Sequence, residues 1–373
     1  MKEKERISAI TLMRGMGVLG VLGIHVGGMY LENPSANLFL LNLYDEVSRY
    51  AVPIFFFLSA FGLFYKLDLN EKFDYLKMLR RRLKAVLIPY ITWSLFYLYH
   101  TAFYYDTYFP TDKITEILFF GLAKYHIYFL VILIWFYILM PLWIFMVKNL
   151  NKTRLFLLLV LQIAINYYFC YSSELYLFQT SLPEGSLLQL ALMHRLNYWV
   201  IFYAFIFLFG GYLAQRADKF KYFLQEKSLL ITAFFILTLL AQSAHFISLI
   251  KLFGRTPLEA VYTAHQLSPI GILYTIAACL FFFYIFTYKL TSGKIYSFID
   301  LLGKHSYFIY LIHPLFLTMT VIYFASNGII MTSGLSVMTY LFALFLSLFS
   351  AVVFQKIANY IPVLGLLVIG KYK

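Results

Sequence analysis

Apolar positions along this chain run in long blocks and do not alternate with polar ones. Blocks of 17 to 22 residues lie near 7–28, 48–65, 85–104, 127–147, 155–171, 197–214, 229–247, 266–287, 304–325 and 335–355. A helix rises about 1.5 Å per residue, so about 20 apolar residues cross a bilayer. The pattern therefore predicts an all-α, polytopic membrane protein of about ten transmembrane helices around a polar cavity. A last apolar run, Ile361 to Ile369, is too short to cross and is expected to lie at the interface or to finish the last helix. The loops are short, so the expectation is a single transmembrane domain over residues 1–373 with no appended soluble domain.

Composition agrees and removes other classes. Of the 373 residues, 62% are apolar, 21% aromatic and only 13% charged, whereas a soluble domain carries about 25% charged residues. Cys170 and Cys279 both fall inside apolar blocks, where a thiol behaves as a small hydrophobe, so neither a disulfide framework nor a metal site follows. Segment 1–6 opens directly into an apolar run without a small-residue cleavage site, so that run is read as the first span, not as a removable signal.

The net charge of +13 gives a direction. Of the 30 Lys and Arg residues, 23 fall in the N-terminal segment, in alternate loops near 66–84, 148–154, 215–228 and 288–304, and after Lys356; the intervening loops hold six. Basic loops stay in the cytoplasm, so both termini are expected there, in the cell membrane. The thirtieth basic residue, Arg14, belongs to neither side.

Arg14 lies inside the first span, where an arginine costs roughly 2.5–3.5 kcal/mol and marks a functional position by default. His25 follows eleven residues later, about 20° round the helical wheel and roughly 16 Å along the axis, so both occupy one face. Gly20, Gly23 and Gly27 fall on the opposite face, and Gly23-Ile-His-Val-Gly27 is a GxxxG spacing that admits a second backbone closely. The glycine face is expected to pack and the Arg14–His25 face to line a cavity. The plainer reading is that both residues snorkel to opposite interfaces as anchors.

Arg14 with ten residues before His25 resembles the R-x10-H signature of the acyltransferase family 3 membrane O-acyltransferases. The likeness continues through Ala51-Val-Pro-Ile-Phe-Phe-Phe-Leu-Ser-Ala-Phe61, Arg80-Arg-Arg-Leu-Lys-Ala-Val-Leu-Ile-Pro89, His126-Ile-Tyr-Phe129 with Pro141, Phe209-Gly-Gly-Tyr212 and Leu302-Gly-Lys-His-Ser-Tyr-Phe-Ile-Tyr-Leu-Ile-His-Pro314. Two departures stand out: Ala60 replaces the glycine that follows Ser59 in the family, and the usual R-x-x-R is offered only as Arg81-x-x-Lys84 or Lys77-x-x-Arg80.

The resemblance implies transfer of an acyl group, acetyl first, from cytoplasmic acyl-CoA to a hydroxyl of an extracytoplasmic polysaccharide or lipid-linked glycan. No permanently bound cofactor and no nucleic acid partner are implied. Such a transfer needs a base for the hydroxyl proton, and histidine is the ordinary choice near neutral pH. His25 is the expected base. Arg14 is expected to hold the donor's thioester arm or to stabilise oxyanion charge. Arg80, Arg81, Arg82 and Lys84 are expected to bind the CoA phosphates through charge-assisted hydrogen bonds, although a basic loop beside a span is also what topology and anionic lipid demand. His126 and His313 stand in family-like motifs and are the expected acceptor-binding residues, while His313-Pro314 also fits a kink whose imidazole satisfies a freed carbonyl. The competing class is an exporter of a lipid-linked or polymeric saccharide. Ion-coupled carriers place Asp or Glu within their spans, and here Asp45 and Glu46 fall, with the other acidic candidates, in outward segments.

Overall fold

The computed structural model describes residues 7–371, and the basic segment 1–6 used above for orientation lies outside the described residues. Helices follow one another as α1 (Ser8–Tyr30), α2 (Leu38–Tyr44), α3 (Ala51–Lys66), α4 (Tyr75–Tyr105), α5 (Thr111–Phe120), α6 (Tyr128–Ile138) and α7 (Met140–Lys148). Next come α8 (Lys152–Tyr171), α9 (Ser173–Ser181), α10 (Leu187–Met193), α11 (Arg195–Tyr198), α12 (Ala204–Ala214), α13 (Ala217–Glu226) and α14 (Ser228–Lys251). The chain ends with α15 (Pro257–Thr263), α16 (Pro269–Tyr288), α17 (Lys294–Ser326), α18 (Ser333–Tyr360) and α19 (Pro362–Ile369). No strand occurs among the described residues.

Each expected apolar block is largely helical. Among the described residues six helices are long and apolar enough to cross a bilayer, and eight if the bent pairs α6–α7 and α12–α13 each count once. Helix α3 is only 16 residues long, because the chain before Ala51 is a run of tight turns around Asp45, Glu46 and Arg49. Helix α4 runs 31 residues and starts ten positions before the expected span, since the Asp74 side chain caps it by accepting from Lys77 N at 3.0 Å. Its first turns are therefore strongly basic.

The helices form two compact units. One comprises Met1–Leu67 with Ile206–Val352, the other Asp68–Phe205 with Val353–Lys373.

In the first unit, α1 is the central element, and glycine sets how closely its neighbours approach. A methyl on Gly20 would meet Ala51 Cβ at 2.7 Å, on Gly23 the Tyr44 carbonyl oxygen at 2.9 Å, and on Gly27 Tyr44 Cβ at 3.0 Å. Contact positions advance along α1 as they retreat from Ala51 to Tyr44, so α3 and its entry turns run antiparallel to α1. On another side, Gly303 of α17 lies against the Thr11 carbonyl and Gly15 against the Ile299 carbonyl, too close for any side chain. Two tyrosine hydroxyls donate to carbonyls in the middle of α1: Tyr50 to Met16 at 3.3 Å and Tyr340 of α18 to Leu19 at 3.1 Å.

In the second unit, broken helices are repaired by side chains, as a bilayer requires where backbone groups lose partners. The α6–α7 pair bends by 64° before Pro141. Carbonyls at the break accept from Trp143 Nε1 (Phe136, 3.1 Å) and Tyr75 OH (Ile138, 2.8 Å). The irregular entry to α12 is held by α8, where Gln162 donates to the Ile201 carbonyl at 2.8 Å and accepts from Phe205 N at 2.9 Å. The final apolar run forms its own helix, α19, which packs against α4: Trp93 Nε1 donates to the Val368 carbonyl at 3.0 Å. Gly370 then turns with φ +63° against the Ala85 carbonyl, where only glycine fits.

Candidate functional site

Helix α1 is unbroken from Ser8 to Tyr30, so the wheel that aligned Arg14 with His25 applies. The glycine face of α1 is buried, while Arg14 is exposed and His25 half-buried on the other side. His25 meets His313 of α17, the two rings stacking with centroids 5.3 Å apart and planes 23° apart. The Gly15 and Gly303 contacts make this possible by letting the two backbones close. The Thr11–Gly303 and Gly15–Ile299 contacts and the His25–His313 stack thus all join the same two helices, α1 and α17.

His313 is fully buried. Its Nδ1 lies 3.1 Å from the Ile309 carbonyl, one turn earlier and just ahead of Pro314. A carbonyl only accepts, so Nδ1 carries a proton. Pro314 frees the carbonyl of Tyr310, while the Nδ1 bond goes to the neighbouring carbonyl of Ile309; one nitrogen thus serves the helix, and the ring faces His25.

The remaining expected residues lie in the second unit. His126 is 3% exposed, with its ring edge-on to Tyr97 at 5.6 Å. Arg80, Arg81 and Lys84 are exposed on the second and third turns of α4; they ride on a helix, not in the loop the sequence implied. Arg82 is different: half-buried, its guanidinium sits 5.6 Å from the Tyr137 ring centre and its Nε is buried without a hydrogen-bond partner. Lys124 lies over the Tyr97 and Tyr125 rings at 5.8 and 5.5 Å, and burial lowers its pKa. Beside α17 and α18 runs an apolar groove of about 540 Å³, lined by Phe316, Tyr323, Met338 and Phe342 among others.

Sequence reasoning missed a second polar centre in the first unit. Asp45, Glu46 and Arg49 are 1%, 0% and 6% exposed, although their position beside a loop made them look solvated. Arg49 Nη2 is 2.5 Å from Asp45 Oδ1 and 3.5 Å from Glu46 Oε1, and it donates to the Val261 carbonyl at 2.7 Å. Gln242, from the middle of apolar α14, donates through Nε2 to Glu46 Oε2 and to the Ala264 carbonyl, both at 2.5 Å. The available signal was the i, i+3 and i, i+4 spacing of Glu46 and Asp45 to Arg49, together with a lone Gln inside an apolar block.

Long apolar helices around a stacked imidazole pair define a multi-pass membrane protein with a histidine centre between its first helix and α17. The chain belongs to acyltransferase family 3, whose acyltransferase domain matches residues 7–356 and so runs through both units. Three relatives come from Staphylococcus aureus strains MRSA252, MSSA476 and MW2, each described as "Probable poly-beta-1,6-N-acetyl-D-glucosamine export protein". They are 25%, 24% and 24% identical over 294 residues, covering 77% of this chain and 74% of each relative. No solved structure matches the chain.

Proposed function

We propose that this protein is an O-acyltransferase of the cell membrane that moves an acyl group, acetyl first, from cytoplasmic acyl-CoA to a hydroxyl of an extracytoplasmic polysaccharide or lipid-linked glycan. In this reading the chain acts as one membrane domain of ten spans around a polar cavity, with both termini in the cytoplasm. The observation that carries it is the stack of His25 on His313 in a member of an acyltransferase family. The relatives' names, which specify a glucosamine polymer, support a glycan acceptor.

His25 is the base. It takes the acceptor hydroxyl proton as the oxygen attacks the thioester carbonyl, the tetrahedral oxyanion collapses, and CoA leaves as a thiolate that recovers the proton. His313 orients the His25 ring and flanks the acceptor. Arg14 stands roughly 16 Å along α1 from His25, beyond reach of the same oxygen, so its part is to hold the donor arm. Arg80, Arg81, Arg82 and Lys84 bind the CoA phosphates, which suit the guanidinium fork. His126, against Tyr97 and Tyr125, contributes to the acceptor.

The names of the relatives also favour a second reading, saccharide export without acyl transfer. The discriminating experiment supplies labelled acetyl-CoA and a glucosamine oligosaccharide to the purified protein in liposomes. Label on the saccharide with wild type, and none with His25→Ala or Arg14→Ala, is expected. Full transfer by a folded His25→Ala variant overturns the mechanism; saccharide flux without donor binding or transfer selects export.

A further inference from the structure

The Asp45–Glu46–Arg49 centre presents a problem of charge. Two carboxylates and one guanidinium share a volume from which water is excluded, and a buried net charge is far more expensive than a buried pair. Among the described residues no second cation forms an ion pair with either carboxylate. On the same segment the other titratable groups are Tyr44, whose hydroxyl pairs with Ser336 Oγ at 3.4 Å, and Tyr50, whose hydroxyl is committed to the Met16 carbonyl. Helix α14 brings neutral Gln242, and His245 one turn further on. Helix α16 brings Tyr274, which donates to the Val47 carbonyl at 2.7 Å. The α15–α16 turn brings His265 and Gln266, the latter accepting from Arg49 Nη1 at 3.5 Å. His265 Nδ1 accepts from Leu267 N at 3.0 Å, so that nitrogen bears no proton and the ring is neutral. Burial, then Arg49 and His245, hold the His265 pKa down to about 3, in keeping with that geometry. Helix α1 meets the centre through Gly27.

We propose that this centre is a proton-binding site and that Glu46 carries the proton. Asp45 has the short contact with the guanidinium, whereas Glu46 has the long one and a neutral amide. The neutral form of the cluster therefore puts the proton on Glu46. Burial first raises the Glu46 pKa to about 7, with Arg49 opposing and Asp45 adding, so the site exchanges its proton near neutrality. Its location gives the exchange a consequence. Tyr44 and Asp45 seat the glycine face of α1, and Gln242 with the Val261 and Ala264 carbonyls belongs to α14 and the α15 region. Loss of the proton leaves an unbalanced charge in the joint between these elements.

Infrared difference spectra of the purified full-length protein, titrated from about pH 5 to about pH 9, test this through the carbonyl stretch of a protonated carboxyl group. The expected result is a band that disappears with a midpoint near neutrality, is missing from Glu46→Gln and persists in Asp45→Asn. Absence of any such band in wild type overturns the site. A band that persists in Glu46→Gln overturns the assignment to Glu46. The measurement needs neither donor nor acceptor, so its outcome is independent of the acyltransferase reading.

Discussion

The His25 and His313 rings, far apart in the chain, stack at 5.3 Å in the first unit, with His313 anchored through Nδ1 to its own helix. Phenylalanine in place of His313 keeps a flat ring against His25 but deletes Nε2. We expect His313→Phe to lower acyl transfer by about 10²-fold or more, with thermal unfolding within a few degrees of wild type. Transfer assays beside melting curves check this, and unchanged transfer would reduce His313 to packing.

Close approach of α1 and α17 is what brings the imidazoles together. Gly303→Ala forces a methyl onto the Thr11 carbonyl and is expected to destabilise by about 1–3 kcal/mol. Gly28→Ala, on the same first helix, meets nothing within 4 Å and is expected to be nearly neutral or mildly stabilising. Unfolding in detergent with both variants compares them directly. Equal behaviour of the two would show that the α1–α17 contact is looser than described.

Stability follows pH through Glu46. Its carboxyl is neutral in both states below the ordinary value of 4.5, and ionises in the folded protein only near 7. Between those values the unfolded chain releases its proton while the folded chain retains it. Stability from this group is thus complete below about 4.5, declines as pH rises through about 7, and is flat beyond. Glu46→Gln is expected to remove that slope in pH-dependent melting. By contrast, Arg49→Leu leaves the buried Asp45 carboxylate without its cation and is expected to cost about 3–5 kcal/mol.

Among the basic side chains of α4, exposure separates two kinds of effect. Arg80→Gln and Arg81→Gln touch exposed residues and are expected to raise the KM for acyl-CoA several-fold, more strongly at low salt, with melting unchanged. Arg82→Gln also loses the Tyr137 stack and is expected to lower stability by about 1 kcal/mol. Salt-dependent kinetics with melting curves tell the two apart. A KM indifferent to Arg80 and Arg81 would limit this cluster to topology and lipid.

The sequence made the helical architecture, the packed glycine face and the opposed Arg14–His25 face legible, because periodicity and apolar length are local properties. The number of spans was less legible, since Pro141 bends α6–α7 and the turns around Asp45 shorten α3. The His25–His313 contact needed the register of two distant helices, which no spacing encodes. Asp45 and Glu46 escaped because a charge beside a loop looks the same in sequence whether water or Gln242 meets it.

The hydroxyls of Tyr50, in the turn before α3, and Tyr340 of α18 reach α1 from two sides of the chain and grip carbonyls at Met16 and Leu19. Turning α1 about its long axis would tear both away and drive Gly15 out of its slot on α17. The helix that carries Arg14 and His25 is therefore pinned against rotation, and both side chains keep one heading as long as those contacts hold.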